Sequence, residues 1–306
     1  MEYKIENEGK NIKVCLIEND EIQAKATCYF EDTPKKDDKN IGCIGDFEAK
    51  NKNYGVNLLN KCEEILKEKN ISYIVGPMNG NTWKKYRTLK WSNGDPLFLL
   101  ENVNGIEYNE IFLSAGYDEI ETYTSTKGLI KDAYYSSVIE KAYEKLKENN
   151  IKIRKFDKTK YEEELKKIYS ISKVSFYRNP FYTPISETEF IEQYKNYLDL
   201  FNEDFILIAE KENRAIGFIF TIPDYNELKY KEKVQTLILK TVAVIPEYEH
   251  LAIGHVLLNE IRKNALDKKY EKWICAFMYS KNTSQKGAKR NKTELIREYA
   301  LYGKEI

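Results

Sequence analysis

The chain has 306 residues, room for two domains of ordinary size, and its 49 basic and 49 acidic residues cancel. A balanced charge supplies no long-range field toward nucleic acid or an anionic membrane, so a small molecule or a protein is the expected partner. Hydrophobic residues make up 42% of the chain, with 24 tyrosines and 13 phenylalanines, which excludes a disordered chain.

The first stretch, MEYKIENEGKNIKVCLIEND, is charged where a secretory signal needs an apolar run, and nowhere do about 18 uninterrupted apolar residues occur. A cytoplasmic location is expected. NIKVCLI and IQAKATCYF read as strands joined by the polar turn ENDE, and IGCIGDFEA as a third. From Gly55 to Lys69, Val56, Leu59, Cys62, Ile65 and Leu66 share one helical face. The strand ISYIVGPM follows, then a short helix YNEIFLSAG closed by Gly116, then a strand YDEIETYTS, so a first unit spans residues 1–126. Residues 127–150 connect the halves, mostly through a helix from about Ser136.

The second unit, residues 151–306, opens with IKIRKF. Capping boxes at Thr159 with Glu162 and at Ser186 with Glu189 start two helices. DFILIAE, KENR and AIGFIFTI form a hairpin pattern, TLILKTVAV another strand, KWICAFMY another, and IREYALYGKEI the last. Both halves repeat one order of elements: strands, a strand ending in a loop, an amphipathic helix, a strand, a shorter segment and a final strand. Cys15, Cys28, Cys43, Cys62 and Cys275 sit singly in apolar runs without CxxC spacing, and His250 and His255 are badly spaced for a metal, so reduced thiols and no metal are expected.

Between two of these elements lies VAVIPEYEHLAIGHVLLNEI, Val242 to Ile261, a strand, a proline-closed turn, a loop with one glycine and an amphipathic helix. A loop feeding a helix N-terminus presents unpaired backbone N–H groups and the positive end of the helix dipole, which suits phosphate; it also serves as an ordinary connector. Neither GxxxxGK[ST] nor GxGxxG is present, which disfavours nucleotide triphosphate chemistry.

VAVIPEYEHLAIGHVLL resembles motif A of the GCN5-related N-acetyltransferase (GNAT) superfamily, in which a strand, a V-x-P turn and an R/Q-x-x-G-x-G/A loop hold the pyrophosphate of acetyl-CoA. The resemblance places Val242 and Val244 on a splayed central strand, Pro246 at its end, and Leu251, Ala252, Gly254 and His255 around the cradle. Glu249 stands where the family has Arg or Gln, and Ala252 where it has its first glycine, so two of three signature positions depart. The hairpin DFILIAEKENRAIGFIFTIPDYNE and the closing IREYALYGKEI are similar to the family's. The first half is similar in order, without the glycine pair, and GPMNGNTWKKYR is similar to a phrase in bacterial proteins carrying two such domains.

The resemblance implies an acyl transfer that needs a free amine, a polarised thioester carbonyl and an acid for the thiolate. TLILKTVAV holds no carboxylate; Lys240, Thr241 and Thr236 are its polar residues. Tyr279 is the candidate acid, or a packing aromatic; Asp224 is the candidate base, with Asn226 orienting the amine, or both are turn formers. Asn282 is the candidate CoA contact. Asn79, Asn81, Thr82 and Trp83 form a polar and aromatic cluster for a small ligand, or cap a loop with one packed tryptophan, and Lys281, Lys286, Lys289, Arg290 and Lys292 are placed to meet the 3'-phosphate or to stay solvated.

The expected fold is α/β (α+β), two tandem GNAT-like domains, each a mixed, mostly antiparallel twisted sheet flanked by helices. Acetyl-CoA as co-substrate, an amine of a small molecule or peptide as acceptor, direct transfer, no nucleic acid and no membrane partner follow from the resemblance, with a homodimer left open. A tandem fold that binds acyl-CoA or another ligand without catalysis, or one using longer acyl or aminoacyl donors, stays open beside it.

Overall fold

The turn ENDE closes on Asn19 and Asp20, whose φ of 54° and 60° gives the left-handed pair that matches the twist of flanking strands. It joins β2 (Asn11–Glu18) to β3 (Glu21–Tyr29), and β4 (Gly42–Ala49) pairs antiparallel on the far side of β3. The computed structural model describes residues 1–101, 104–133, 136–282 and 284–306, without the side chains of residues 284 and 286. Val14, Leu16, Ala24, Ala26 and Cys28 alternate inward onto α1 (Lys52–Glu68), which buries Leu58, Leu59, Cys62 and Leu66. The Asn51 side chain caps α1 by accepting from the Tyr54 N–H at 3.0 Å.

Two strands of the large sheet escaped the sequence reading, as did the two-residue pair Lys35–Lys36 and Lys39–Asn40 outside it. β1 (Glu2–Asn7) is an edge strand exposed along its whole length, so it carries no burial alternation, and β6 (Thr88–Ser92) is short and mostly polar. Between them in the chain comes β5 (Tyr73–Gly76); α2 (Tyr108–Ser114), β7 (Asp118–Leu129) and α3 (Ser137–Glu148) follow β6.

In the second half, β8 (Lys152–Lys155), β9 (Ile206–Lys211), β10 (Arg214–Pro223) and β11 (Thr236–Val244) form an antiparallel series, and β12 (Lys272–Tyr279) runs parallel to β11. Helices α4 (Tyr161–Ser175), α5 (Glu187–Lys195), α6 (Ile253–Asp267) and α7 (Ser284–Arg290) flank it, and β13 (Glu294–Glu305) ends it. Ser186 accepts from the Glu189 N–H at 3.1 Å, as its box predicts. Thr159 does not cap α4. Asp157 accepts from the Thr159 N–H at 3.0 Å instead and opens a 3-10 turn that delays the helix to Tyr161.

Among the described residues, one 13-stranded sheet runs through both halves in the order β1-β2-β3-β4-β5-β13-β7-β12-β11-β10-β9-β8, with β6 on β13. The two closing strands are therefore exchanged. β13 pairs with β5 of the first half (Tyr302 opposite Gly76), and β7 pairs with β12 of the second (Thr126 opposite Cys275). Ala300 and Tyr302 sit in the first half's core, where the Tyr302 ring stacks on Phe112 at 5.4 Å. Such a seam is a core that neither half completes alone.

A buried polar link reinforces the seam. Arg297 of β13 donates from Nε to Glu101 at 3.0 Å, Glu101 also accepts from the Tyr299 hydroxyl at 2.6 Å, and Arg297 Nη2 donates to the Asp95 carbonyl at 2.6 Å. With both charged groups excluded from water, satisfied geometry is the condition for keeping them.

Candidate functional site

β11 and β12 pair from Thr236 opposite Lys272 to Leu239 opposite Cys275, and no further, although β11 runs on to Val244 and β12 to Tyr279. On the other edge of β11, Phe220 faces Thr241 and Thr221 faces Leu239, so Lys240 is the extra residue of a bulge. A bulge adds twist and re-aims its side chain, here at the point where the two strands part. The resulting wedge belongs to a cavity of about 1610 Å³ whose walls come from both halves of the chain.

At the mouth of the wedge, Pro246 ends β11 and starts a 3-10 turn through Leu251, and Ala252 leads into α6 with φ 56° and ψ 31°. No side chain caps α6; the His255 N–H bonds the Ala252 carbonyl at 3.0 Å, and the N–H groups of Ile253 and Gly254 ahead of it open the helix beside the cavity that Gly254 lines. A left-handed alanine costs about 1–2 kcal/mol relative to its favoured region. Ala252→Gly is expected to stabilise the protein by about 1 kcal/mol in chemical denaturation; an unchanged or lowered midpoint would contradict strain at this turn.

Val242, Val244, Ala252, Gly254, His255, Asn282, Tyr279 and Trp83 all line the cavity, as does Glu249. Val242 is 43% exposed there. His255 is the third residue of α6. The Trp83 indole donates to the Thr183 carbonyl at 2.8 Å and packs against Phe176, Tyr182 and Phe190. The Tyr279 ring lies 5.6 Å from Tyr123; burial, and then the Glu121 carboxylate, push its hydroxyl above the usual phenol range. Arg290 of the basic run reaches the cavity, while Lys281 pairs with Glu121 at 3.1 Å and the Lys286 side chain lies outside the described residues.

Four expected site residues lie elsewhere. The Leu251 side chain is buried in the core under the turn. Asp224 is buried beyond the cavity, where it accepts from the Leu99 N–H at 2.9 Å, and Asn226 donates to the Leu97 carbonyl at 3.2 Å. Both tie the β10–β11 connection to a loop of the first half, a long-range contact that turn-forming residues do not announce.

Asn79 is occupied in the first half. There β4 and β5 also part, after Cys43 opposite Val75, but the wedge is filled by the chain itself: the Met78 N–H bonds the Ile44 carbonyl at 2.8 Å and Asn79 exchanges hydrogen bonds with Asp46 at 2.6 and 3.0 Å. Gly45 permits this approach, since a Cβ there would lie 2.5 Å from Asn79 Oδ1. The open wedge is in the second half.

The cavity floor holds Arg87, to which sequence reasoning assigned no role, and Lys240, one of the polar residues of TLILKTVAV. Arg87, 8% exposed, has its guanidinium 4.0, 4.4 and 4.5 Å from the ring centroids of Tyr86, Tyr123 and Phe277. Lys240 Nζ lies 4.6 Å from the centroid of the same Phe277 ring. Burial, and then the charge of Arg87, lower the Lys240 amine to about 7, against a smaller opposing pull from Glu101. One signal was available: Arg87 is the lone arginine of GPMNGNTWKKYR, set behind two lysines that a surface loop would use equally well.

Residues 165–286 match the family model described as Acetyltransferase (GNAT) family. No curated protein matches the chain. Among solved structures it is similar to the GCN5-related glucosamine N-acetyltransferase region of a fungal multi-domain GH3 beta-N-acetylglucosaminidase, with 12% identity and a TM-score of 0.57 over 96% of this chain and 33% of that one. It therefore spans about a third of that relative's length. It is also similar to a GCN5-related N-acetyltransferase from Sphaerobacter thermophilus, with 11% identity and a TM-score of 0.54 over 97% and 80% of the two chains. A tandem GNAT protein from the clavulanic acid biosynthesis pathway gives 7% identity and a TM-score of 0.53 over 96% and 82%. At such identities the shared property is the fold, and it extends over nearly the whole chain. The family match lies in the half that holds the open wedge, so residues 165–286 carry a GNAT-family domain, and the chain as a whole has the fold seen in a tandem GNAT protein.

Proposed function

We propose that this protein transfers an acetyl group from acetyl-CoA directly to an amine, using the wedge of the second half. The observation that carries this reading is the parting of β11 and β12 after Leu239 and Cys275, next to an uncapped helix N-terminus. In the proposal, the pantetheine arm lies along Val242 and Val244 as an added strand, and the pyrophosphate meets the N–H groups at the start of α6, with Gly254 and His255 beside it. Asn282 and Arg290 border the adenosine side.

In the same proposal, Lys240 takes a proton from the acceptor's ammonium, and the free amine attacks the thioester carbonyl. Backbone N–H groups of β11 beyond the bulge bond the oxyanion, the C–S bond breaks, and Tyr279 protonates the departing thiolate. A second proton from the nitrogen restores the Tyr279 hydroxyl, and the net proton leaves from Lys240 to water. A phenol held above its usual range stays protonated near neutrality, as an acid must. The first half, whose own wedge is filled, supplies Trp83, Tyr86 and Arg87 as the acceptor-side wall.

Glu249 favours a second reading, because a carboxylate at the cradle repels a pyrophosphate. In that reading the pair binds an acyl-CoA without turning it over. Thiol release from acetyl-CoA, followed over a panel of primary amines alongside calorimetric binding, separates the two. Binding with amine-dependent release supports transfer; binding with no release from any amine supports the non-catalytic reading; no binding overturns both.

A further inference from the structure

Arg87 is a buried cation on the cavity floor. Its Nη1 is buried without a hydrogen-bond partner, and among the described residues no carboxylate forms an ion pair with it. The contrast with Arg297 is instructive. Arg297 is a structural arginine, and its guanidinium is satisfied by Glu101, the Asn93 side chain and the Ile296, Asp95 and Pro96 carbonyls. Arg87 has aromatic faces above and beside it but no acceptor at its edge, the arrangement of a planar fork held ready for a bidentate guest.

Lys240 stands over the same Phe277 ring, so an amine and a guanidinium share the cavity floor. The carboxylate nearest in effect, Glu101, is committed to Arg297 and Tyr299. Leaving the Arg87 guanidinium unpaired in a largely aromatic cavity is costly unless something neutralises it. Arg87 comes from the first half, between β5 and β6, and Lys240 from the bulge of β11 in the second. The floor is therefore a recognition site made only where the halves meet.

We infer that the acceptor is a small primary amine that also carries an anionic group, which Arg87 holds at the cavity floor. The amine part of this statement rests on the acyl-transfer reading; the anion site does not. Repulsion from the Arg87 guanidinium turns away polyamines, whose second cationic group would have to lie where the anion does, so the site selects against acceptors as well as for them. Carboxylate and phosphate present the same chemistry to a guanidinium fork, and the test separates them.

Amides already carrying the acetyl group are titrated calorimetrically into the full chain without any CoA, in two matched pairs. N-acetylphenylalanine is compared with N-acetylphenylalanine amide, and N-acetyl-O-phosphoethanolamine with N-acetylethanolamine. In at least one pair the anionic member is expected to bind at least about tenfold more tightly, as one charge-assisted hydrogen-bond pair would give, and that pair names the anion. Arg87→Gln is expected to erase the difference while leaving acetyl-CoA affinity unchanged. If that variant does not fold, Arg87→Lys, which keeps the charge but not the planar fork, is expected to weaken the anionic member several-fold. Equal binding within both pairs, no binding of either anion, or a preference that survives in a folded Arg87→Gln protein would each overturn the inference. Failure of acetyl-CoA to bind would overturn only the acyl-transfer reading.

Discussion

Acetyl-CoA is expected to bind the wild-type protein in the micromolar range and to show no measurable binding to Gly254→Trp. Gly254 lies at the start of α6 against β11, and a Cβ built on it meets only the Val242 Cγ1 at 3.4 Å, an ordinary contact. Everything beyond that Cβ projects into the wedge the pantetheine and pyrophosphate need, and an indole fills it. Gly254→Ala is the control: it adds a methyl with room to sit and a better helix former, so it should bind nearly as wild type and be slightly more stable. Calorimetry on the three proteins checks the site. Wild-type binding that persists in the tryptophan variant would place the donor outside this wedge.

The second large effect is expected at Lys240. Removing a general base typically slows transfer by about 10²–10⁴-fold, so Lys240→Met should lose that much kcat/KM for a preferred amine while acetyl-CoA affinity holds. The sign of the pH dependence follows from the lowered amine. A base must be neutral, so wild-type kcat/KM should rise with pH, pass its midpoint near the amine's value of about 7, and level off above it. The facing groups support that assignment: Arg87 pushes the value down, Glu101 pulls weakly against it, and Tyr123, itself buried, is driven well above its ordinary range and stays neutral. Lys240→Met should flatten the profile. It should also raise the melting temperature, because a desolvated amine beside a guanidinium is replaced by an apolar chain of similar length. A stabilised but fully active variant would remove Lys240 from the chemistry.

Part of the site was legible because it depends on local sequence. The strand, the Pro246 turn and α6 are contiguous, and turn residues plus a 3.6-residue apolar period specify them, which is why Val242, Val244, Ala252, Gly254 and His255 could be named in advance. Asp224 and Asn226 were misplaced for the complementary reason. Asp and Asn favour turns wherever they occur, and their partners, the backbone of Leu97 and Leu99, lie more than a hundred residues away in the chain.

The sequence by itself determined the order of elements, most of their boundaries and the likeness of the two halves, all products of propensity and periodicity over short spans. Only the tertiary structure decided that β7 and β13 change places, that the first half's wedge is plugged by Asn79 while the second stays open, and that Arg87 and Lys240 meet over one phenylalanine. The physical reason is common to all three. Strand partners, filled clefts and unpaired charges are set by the burial of surfaces far apart in sequence, and a strand's own residues satisfy either neighbour equally well until the whole sheet closes.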